Sequence, residues 1–245
     1  MSAKTHSLAQ TIGYYIAFVG LGLVVASLGP TLGDLAQHTH SVLSDISILF
    51  SARALGYLVG AWFGGRFYDR RAGHPVMASV LCVMLAATLV IPWVSWLWLL
   101  FVVMLALGMA EGALDVGGNA LLVWVHGARV GPYMNALHFF FGIGAFLSPI
   151  IIAQAMLVAN DVRWAYTALA WLLLPCIVWL ARVPSPIAPH VTNPMATKPV
   201  NRFVLSLIVL FFLLYSGAEA GFGGWIFTYA VALNLSDATT AAYLT

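Results

Sequence analysis

Charge is what this sequence of 245 residues has least of: Asp, Glu, Lys and Arg make up 7% of it, against 62% hydrophobic residues. Soluble domains carry about 25% charged residues, and so few charges cannot cover the surface of a fold this long. A water-soluble protein is excluded; an integral membrane protein remains. Cysteine is nearly absent too. Cys82 and Cys176 stand singly within apolar runs, which supports neither a metal site nor a disulfide, and both are expected to be buried packing groups. The sequence has no phosphate-binding loop, no clustered His/Cys spacing and no nucleophile beside a base in a recognisable motif. Nothing therefore points to an enzyme, and neither a metal nor a cofactor is expected. The short alternating segments of a membrane β-barrel are also missing.

What the chain does have is a succession of apolar runs long enough to cross a bilayer, which takes about 20 residues. They fall at 12–33, 45–66, 75–94, 97–124, 132–158, 164–182 and 203–231, and an eighth begins after Asp237. The expected class is all-α and polytopic. The first run is too long for the core of a signal peptide, and the ten residues before it hold no cleavage pattern, so it is a retained span. Lys4, Arg66, Arg70, Arg71, Arg129, Arg182, Lys198 and Arg202 fall on the N-terminal side of the membrane, and only Arg163 falls on the other. This asymmetry places the N-terminus in the cytoplasm. The net charge of +2 is that bias, and suggests no nucleic-acid partner.

The segment 181–202 holds five of the eleven prolines and reads as an extended cytoplasmic linker. The expected organisation is a six-helix bundle over 1–183, a linker over 184–202, and the start of a second bundle over 203–245. A weak repeat agrees: Ser44–Asp45 and Ser236–Asp237 each resemble a helix start with a capping Ser and an Asp at the positive end of the dipole. That offset lays the seventh span on the first and Glu219 on Ser27. Parallel six-span repeats are one transporter plan. The last run is too short to span, so the chain is expected to be a fragment lacking about five spans.

The stretch GMAEGALDVGGNALL, Gly108–Leu122, interrupts this apolarity. Glu111, Asp115 and Asn119 are four residues apart, so they share one helix face, in a stripe roughly 12 Å long. An ionised carboxylate at the membrane centre costs at least ~2.5 kcal/mol. Two on one face must look into a cavity, meet a cation or carry a proton. Glu111 and Asp115 are candidates for binding a coupling proton or sodium ion; the alternative for Asp115 and Asn119 is a hydrogen bond to a neighbouring helix. Glu219 in YSGAEAGFGGW is a second intramembrane acid, with glycines that permit close helix contact. Trp225 and Tyr229 share a face and suit either a sugar ring or an interfacial belt. Asn135 and His138 share a face of the fifth span, where His138 is either a sugar or proton contact or a packing group. Arg53 lies within the second span, as a counter-ion to a membrane carboxylate or as a substrate ligand. Asp34, beyond Pro30, is expected in a solvated loop.

The loop GGRFYDRRAGHP, Gly64–Pro75, resembles the signature between spans two and three of the major facilitator superfamily, with Gly65, Asp69, Arg70 and Gly73 matching. It departs by one extra residue before Gly73 and by His-Pro in place of a second basic pair. The segments LDVGGNALLVWVHG, GPYMNALHFFFGIGAFLSPI and YSGAEAGFGGWIFTYAV are similar to the branch that holds fucose permeases and sodium-dependent glucose transporter-like proteins. The resemblance implies a major facilitator fold and cation-coupled sugar transport by alternating access. Glu111 and Asp115 would then serve the coupling ion. Asn119, Asn135, His138, Glu219, Trp225 and Tyr229 would serve the sugar, and Gly65, Asp69, Arg70 and Gly73 a cytoplasmic gating loop with an interdomain charge network. A drug or organic-cation exporter of the same fold and a non-transporting membrane sensor or scaffold are the alternatives. The expected partners are a small-molecule sugar, a proton or sodium ion and the bilayer of the cell membrane, with the chain a monomer.

Overall fold

The first apolar run does not form one helix. In the computed structural model, which describes residues 3–187 and 201–233, α1 (Ala3–Val25) ends at a two-residue turn and α2 (Leu28–His38) continues beyond it. Pro30 accounts for the bend. It has no N–H for the Ala26 carbonyl, and its ring crowds that oxygen, so the ladder breaks ahead of it. Pro30 itself then sits in the first turn of α2, where proline is tolerated. Asp34 consequently lies inside α2 and is half-buried, which corrects its expected place in a solvated loop.

A short helix α3 (Leu43–Ile46) leads into α4 (Ile48–Arg70), followed by α5 (Gly73–Val90), α6 (Leu97–His126), α7 (Gly131–Ala159), α8 (Val162–Arg182) and α9 (Arg202–Ala232). Ser44 is not the cap expected of it: α3 begins after Val42, and the Ser44 hydroxyl donates to Asp45 at 3.3 Å. Among the described residues, seven helical stretches are long and apolar enough to cross a membrane, one for each of the seven runs before residue 232. Successive spans alternate in direction, so the start of α1 and the ends of α4, α6 and α8 share one face, called here the N-terminal face. Ser236, Asp237, the eighth span, Lys198 and most of the linker lie outside the described residues.

Apolar helices in lipid gain little from hydrophobic burial against each other, so their association rests on close fit, which small residues allow. The pair α4 and α6 is built this way. A Cβ on Gly56 or Gly60 would strike the backbone of Leu105 or Met109; one on Gly108 or Gly112 would strike that of Arg53 or Tyr57. Gly22 and Gly144 bring α1 and α7 together likewise, against Phe141 and Val19. The core between the helices holds Tyr14, Phe18, Leu49, Met77, Leu107, Leu114 and Leu173. Trp62, Phe67, Trp98, Phe139 and Trp171 face outwards, as lipid contact requires. Cys82 is also exposed, contrary to its expected burial, while Cys176 is buried with its thiol 3.7 Å from the Gly13 carbonyl.

At the far face, Asn160 closes α7 in the left-handed conformation (φ 50°) and the Asp161 carboxylate caps α8 by accepting from the Arg163 N–H at 2.8 Å. The Arg163 guanidinium lies 4.3 Å from the Trp93 ring centre, joining this turn to the one between α5 and α6. The seventh span, α9, meets α2 through its glycines: a Cβ on Gly29 would come within 2.9 Å of the Gly224 carbonyl oxygen. Trp225 packs at a tilt on Phe50, with ring centres 5.7 Å apart.

Candidate functional site

The polar stripe of α6 faces α4, and the two helices run in the same direction in register. Arg53 and Tyr57 on α4 stand one turn apart, as do Glu111 and Asp115 on α6, and each residue of the first pair meets its counterpart in the second. In the upper rung, Arg53 Nε donates to Glu111 Oε2 at 2.8 Å and Nη2 donates to Oε1. Both side chains are buried. The planar fork of arginine suits such a two-point pairing, and the charge-assisted bonds offset part of the desolvation of both ions. Arg53 is thus the counter-ion of a membrane carboxylate, one of its two expected roles.

The same guanidinium reaches further. Nη1 donates to the Val25 carbonyl at 2.9 Å and Nη2 to that of Val24 at 2.7 Å. These carbonyls end α1 at its bend, where the negative end of the helix dipole favours a cation. The bend is also held from α7, whose Ser148 hydroxyl donates to the Leu23 carbonyl at 2.6 Å, and by Ser27, whose hydroxyl donates to Val24 at 2.7 Å. On α2, Thr31 is 2.8 Å from the Tyr166 hydroxyl of α8.

The lower rung is neutral on one side. Tyr57 Oη donates to Asp115 Oδ2 at 2.7 Å, and Asn119 Nδ2 donates to Asp115 Oδ1 at 3.1 Å and to its carbonyl at 2.9 Å. Asp115 is half-buried, and among the described residues it has no ionic partner. Of the two acids expected to take a cation, Glu111 is therefore already neutralised, whereas Asp115 has only neutral donors that a proton or metal cation could replace.

The expected substrate residues are spread over three helices. Asn119 is tied to Asp115. Asn135 and His138 are exposed on α7, where His138 meets Phe18 edge-on with ring centres 6.0 Å apart. Glu219 and Tyr229 are exposed on α9, and Trp225 leans on Phe50. A cavity of about 730 Å³ opens towards the far face between α2, α7 and α9, lined among others by Pro30, Asp34, Pro149, Met156, Phe227 and Thr228.

Around the turn between α4 and α5, a Cβ on Gly73, the first residue of α5, would strike the Leu121 side chain, whereas one on Gly65, within α4, would meet Val116 at an ordinary 3.9 Å. Asp69 and Arg70 are exposed, and neither takes part in the ion pairs found among the described residues; of the second bundle that an interdomain network would need, only 203–233 is described. The loop is anchored instead by His74. Its Nδ1 lies 2.8 Å from the Val183 carbonyl and its Nε2 2.8 Å from the Tyr14 hydroxyl. A carbonyl only accepts, so in the neutral ring Nδ1 carries the proton and Nε2 accepts from Tyr14. The His74 N–H donates to Ser185 Oγ at 2.7 Å, and Gln10 donates to the Pro184 carbonyl at 2.9 Å.

Tyr57, Tyr14, Thr31 and Tyr166 were not singled out by sequence reasoning, and His74 stood out only as a departure from the family pattern. For Tyr57 a signal existed: it repeats the four-residue spacing of Glu111 and Asp115, counted from Arg53, on a span running the same way.

A family model described as Major Facilitator Superfamily matches residues 14–245. The chain belongs to the major facilitator superfamily. Sodium-dependent glucose transporter 1A of Mus musculus is 30% identical over 254 residues, covering 88% of this chain and 60% of the relative. Sodium-dependent glucose transporter 1 of Xenopus laevis is also 30% identical, covering 85% and 48%. Major facilitator superfamily domain-containing protein 4A of Homo sapiens is 36% identical over a shorter stretch, 63% of this chain and 30% of the relative. The chain thus spans roughly half the length of these transporter relatives. A crystal structure of tetrameric PepTSo2 matches with a TM-score of 0.60 at 18% identity, covering 95% of this chain and 53% of that one. That likeness concerns the fold, and it agrees with an all-α, multi-pass major facilitator protein. Within the superfamily signature, the position where this chain departs from a basic pair is His74, which is buried and bonded on three sides.

Proposed function

We propose that this major facilitator protein is a secondary active transporter of a hexose-like sugar, coupled to sodium ions or protons. Its parts are a six-span bundle over 1–183, a cytoplasmic linker over 184–202 and a second bundle begun at 203, which alternate access around a site between them. The observation that carries the reading is Asp115: a half-buried carboxylate in mid-span, held by Tyr57 and Asn119 and in no ion pair among the described residues. In this reading Asp115 binds the coupling cation, and Glu111 supports it from the next turn by absorbing the charge of Arg53. Asn119, Asn135, His138 and Glu219 offer hydrogen bonds to sugar hydroxyls, while Trp225 and Tyr229 offer aromatic faces to the ring. The relatives named as sodium-dependent glucose transporters support the substrate class. The basic-residue asymmetry supports a cytoplasmic N-terminus in the cell membrane, with the monomer as the working unit.

The test uses the full-length protein in sealed vesicles, with glucose uptake followed under an inward sodium or proton gradient. Asp115→Asn is expected to abolish accumulation against a gradient while sugar exchange across the membrane continues. Equal loss of both activities in correctly inserted protein removes Asp115 from the coupling role. Flux of lipophilic cations with none of sugar replaces the substrate class.

A further inference from the structure

A buried ion pair needs only its two partners. Arg53 has more: two of its donors serve Glu111, and two serve the last carbonyls of α1. One side chain thereby fastens three elements, namely α4, α6 and the bend between α1 and α2. What lies past that bend is the segment that meets α9, through Gly29 against Gly224, and that walls the far-face cavity with Pro30, Gly33 and Asp34. The α2 segment is otherwise held by its apolar face, with Leu28, Leu32, Leu35 and Ala36 buried in the core, and by the Thr31–Tyr166 hydrogen bond to α8.

We propose that Arg53 is a positioning residue for the far-face gate: it locks the bend of the first span to Glu111 and so sets α2 over the cavity against α9. The physical basis is the shape of the guanidinium. Its planar fork serves two carboxylate oxygens and two carbonyls at once, and the positive charge caps the exposed end of the α1 dipole. When the donors to Val24 and Val25 are withdrawn, the bend keeps the hydroxyls of Ser27 and Ser148, and α2, still packed by its apolar face and Thr31, shifts more readily about residues 26–27. The role belongs to Arg53 rather than to the charge pair as such, because the hydrogen bonds of Glu111 among the described residues run to Arg53 and none to the bend.

The inference rests on the transporter reading in one respect, that the cavity opens to the face opposite the N-terminus. Its test needs no substrate, so it can fail or succeed independently of sugar transport. A cysteine is placed at Thr228, in the cavity wall on α9, in the full-length protein in sealed vesicles. It is labelled by a membrane-impermeant maleimide supplied to that face, with protein lacking the added cysteine as the blank. Arg53→Lys retains a cation for Glu111, but a single ammonium cannot hold both the carboxylate and the bend; labelling is expected to speed up severalfold. Glu111→Gln leaves Arg53 its carbonyls and an amide oxygen, and labelling is expected to stay near the parental rate. Should Arg53→Lys fail to insert, the paired change Arg53→Met with Glu111→Leu, which leaves no buried charge, is judged by the same criterion. Parental labelling in the Arg53 variant that inserts overturns the proposal. So does equal acceleration by Glu111→Gln, because the ion pair alone would then set the gate.

Discussion

The two rungs between α4 and α6 lie one helical turn apart, on the same two helices and in the same register, yet they are opposites in chemistry. Arg53 and Glu111 form a closed system in which both charges are buried and nearly every donor and acceptor is used. Tyr57 and Asp115 form an open one: a carboxylate bonded only by neutral groups, in a half-buried position. A buried charge in a membrane protein is thus no sign of function by itself. In the proposed reading the acid matched by a cation belongs to the scaffold, and the acid left with neutral hydrogen-bond donors is the one that changes its state.

The comparison breaks most severely if the closed rung is opened. Arg53→Met leaves Glu111 buried and unpaired, and such a loss costs about 3–5 kcal/mol. The variant is expected to show a large fall in folded, membrane-inserted protein, read as the monodisperse fraction after detergent extraction. Normal recovery and normal thermal stability would mean that Glu111 is not held as an ion. A smaller effect is expected at the open rung. Tyr57→Phe removes one hydrogen bond to a carboxylate that keeps Asn119, a loss of about 1.5–3 kcal/mol at most. Recovery should be near normal, and the half-saturating concentration of the coupling ion in vesicle uptake should shift. An unchanged ion dependence would detach Tyr57 from Asp115 in the working cycle. The smallest effect on stability is expected from the paired Arg53→Met and Glu111→Leu change. Replacing a whole buried ion pair by apolar groups is often neutral, so its thermal midpoint should lie close to that of the parent. A fall as large as that of Arg53→Met alone would show that the contacts to Val24 and Val25, more than the charge balance, hold the bundle together.

How far the sequence anticipated this depends on what each feature interacts with. The spans were legible because crossing a bilayer demands a length of apolar chain whatever the neighbours are. The Arg53–Glu111 pair was half legible: a cation inside a span needs an anion, but which acid answers it is set by the register of two helices 58 residues apart. That register is written in Gly56, Gly60, Gly108 and Gly112, whose meaning appears only when the helices are placed together. The bend was not foreseen because the first span was read as continuous over 12–33 with Asp34 in a loop after it, whereas Pro30 sits in the first turn of a new helix that carries Asp34. Ser44 followed the capping pattern, yet the chain turns two residues earlier, at Val42. His74 was noted as a departure from the family pattern, but its partners Tyr14, Val183 and Ser185 lie far away in sequence. The substrate residues proposed on α7 and α9 are the least legible, since Asn135, Glu219 and Tyr229 are exposed among the described residues, and the His138 contact with Phe18 joins helices far apart in sequence.

The glycine contacts between α4 and α6 also have a mechanical meaning. Two helices this close behave like a rack and its matching teeth. Sliding α4 by one turn, ~5.4 Å, would carry Arg53 past Glu111 to Asp115 in one direction or to Leu107 in the other. Either way a buried carboxylate would lose its cation, and the backbones would have to ride over one another's Cβ atoms. The pair therefore resists shear along its length far more than it resists tilt as a unit. Movement is then left to the joints around the pair, among them the break before α4 at Ser47 and the two-residue turn at 26–27 that Arg53 grips.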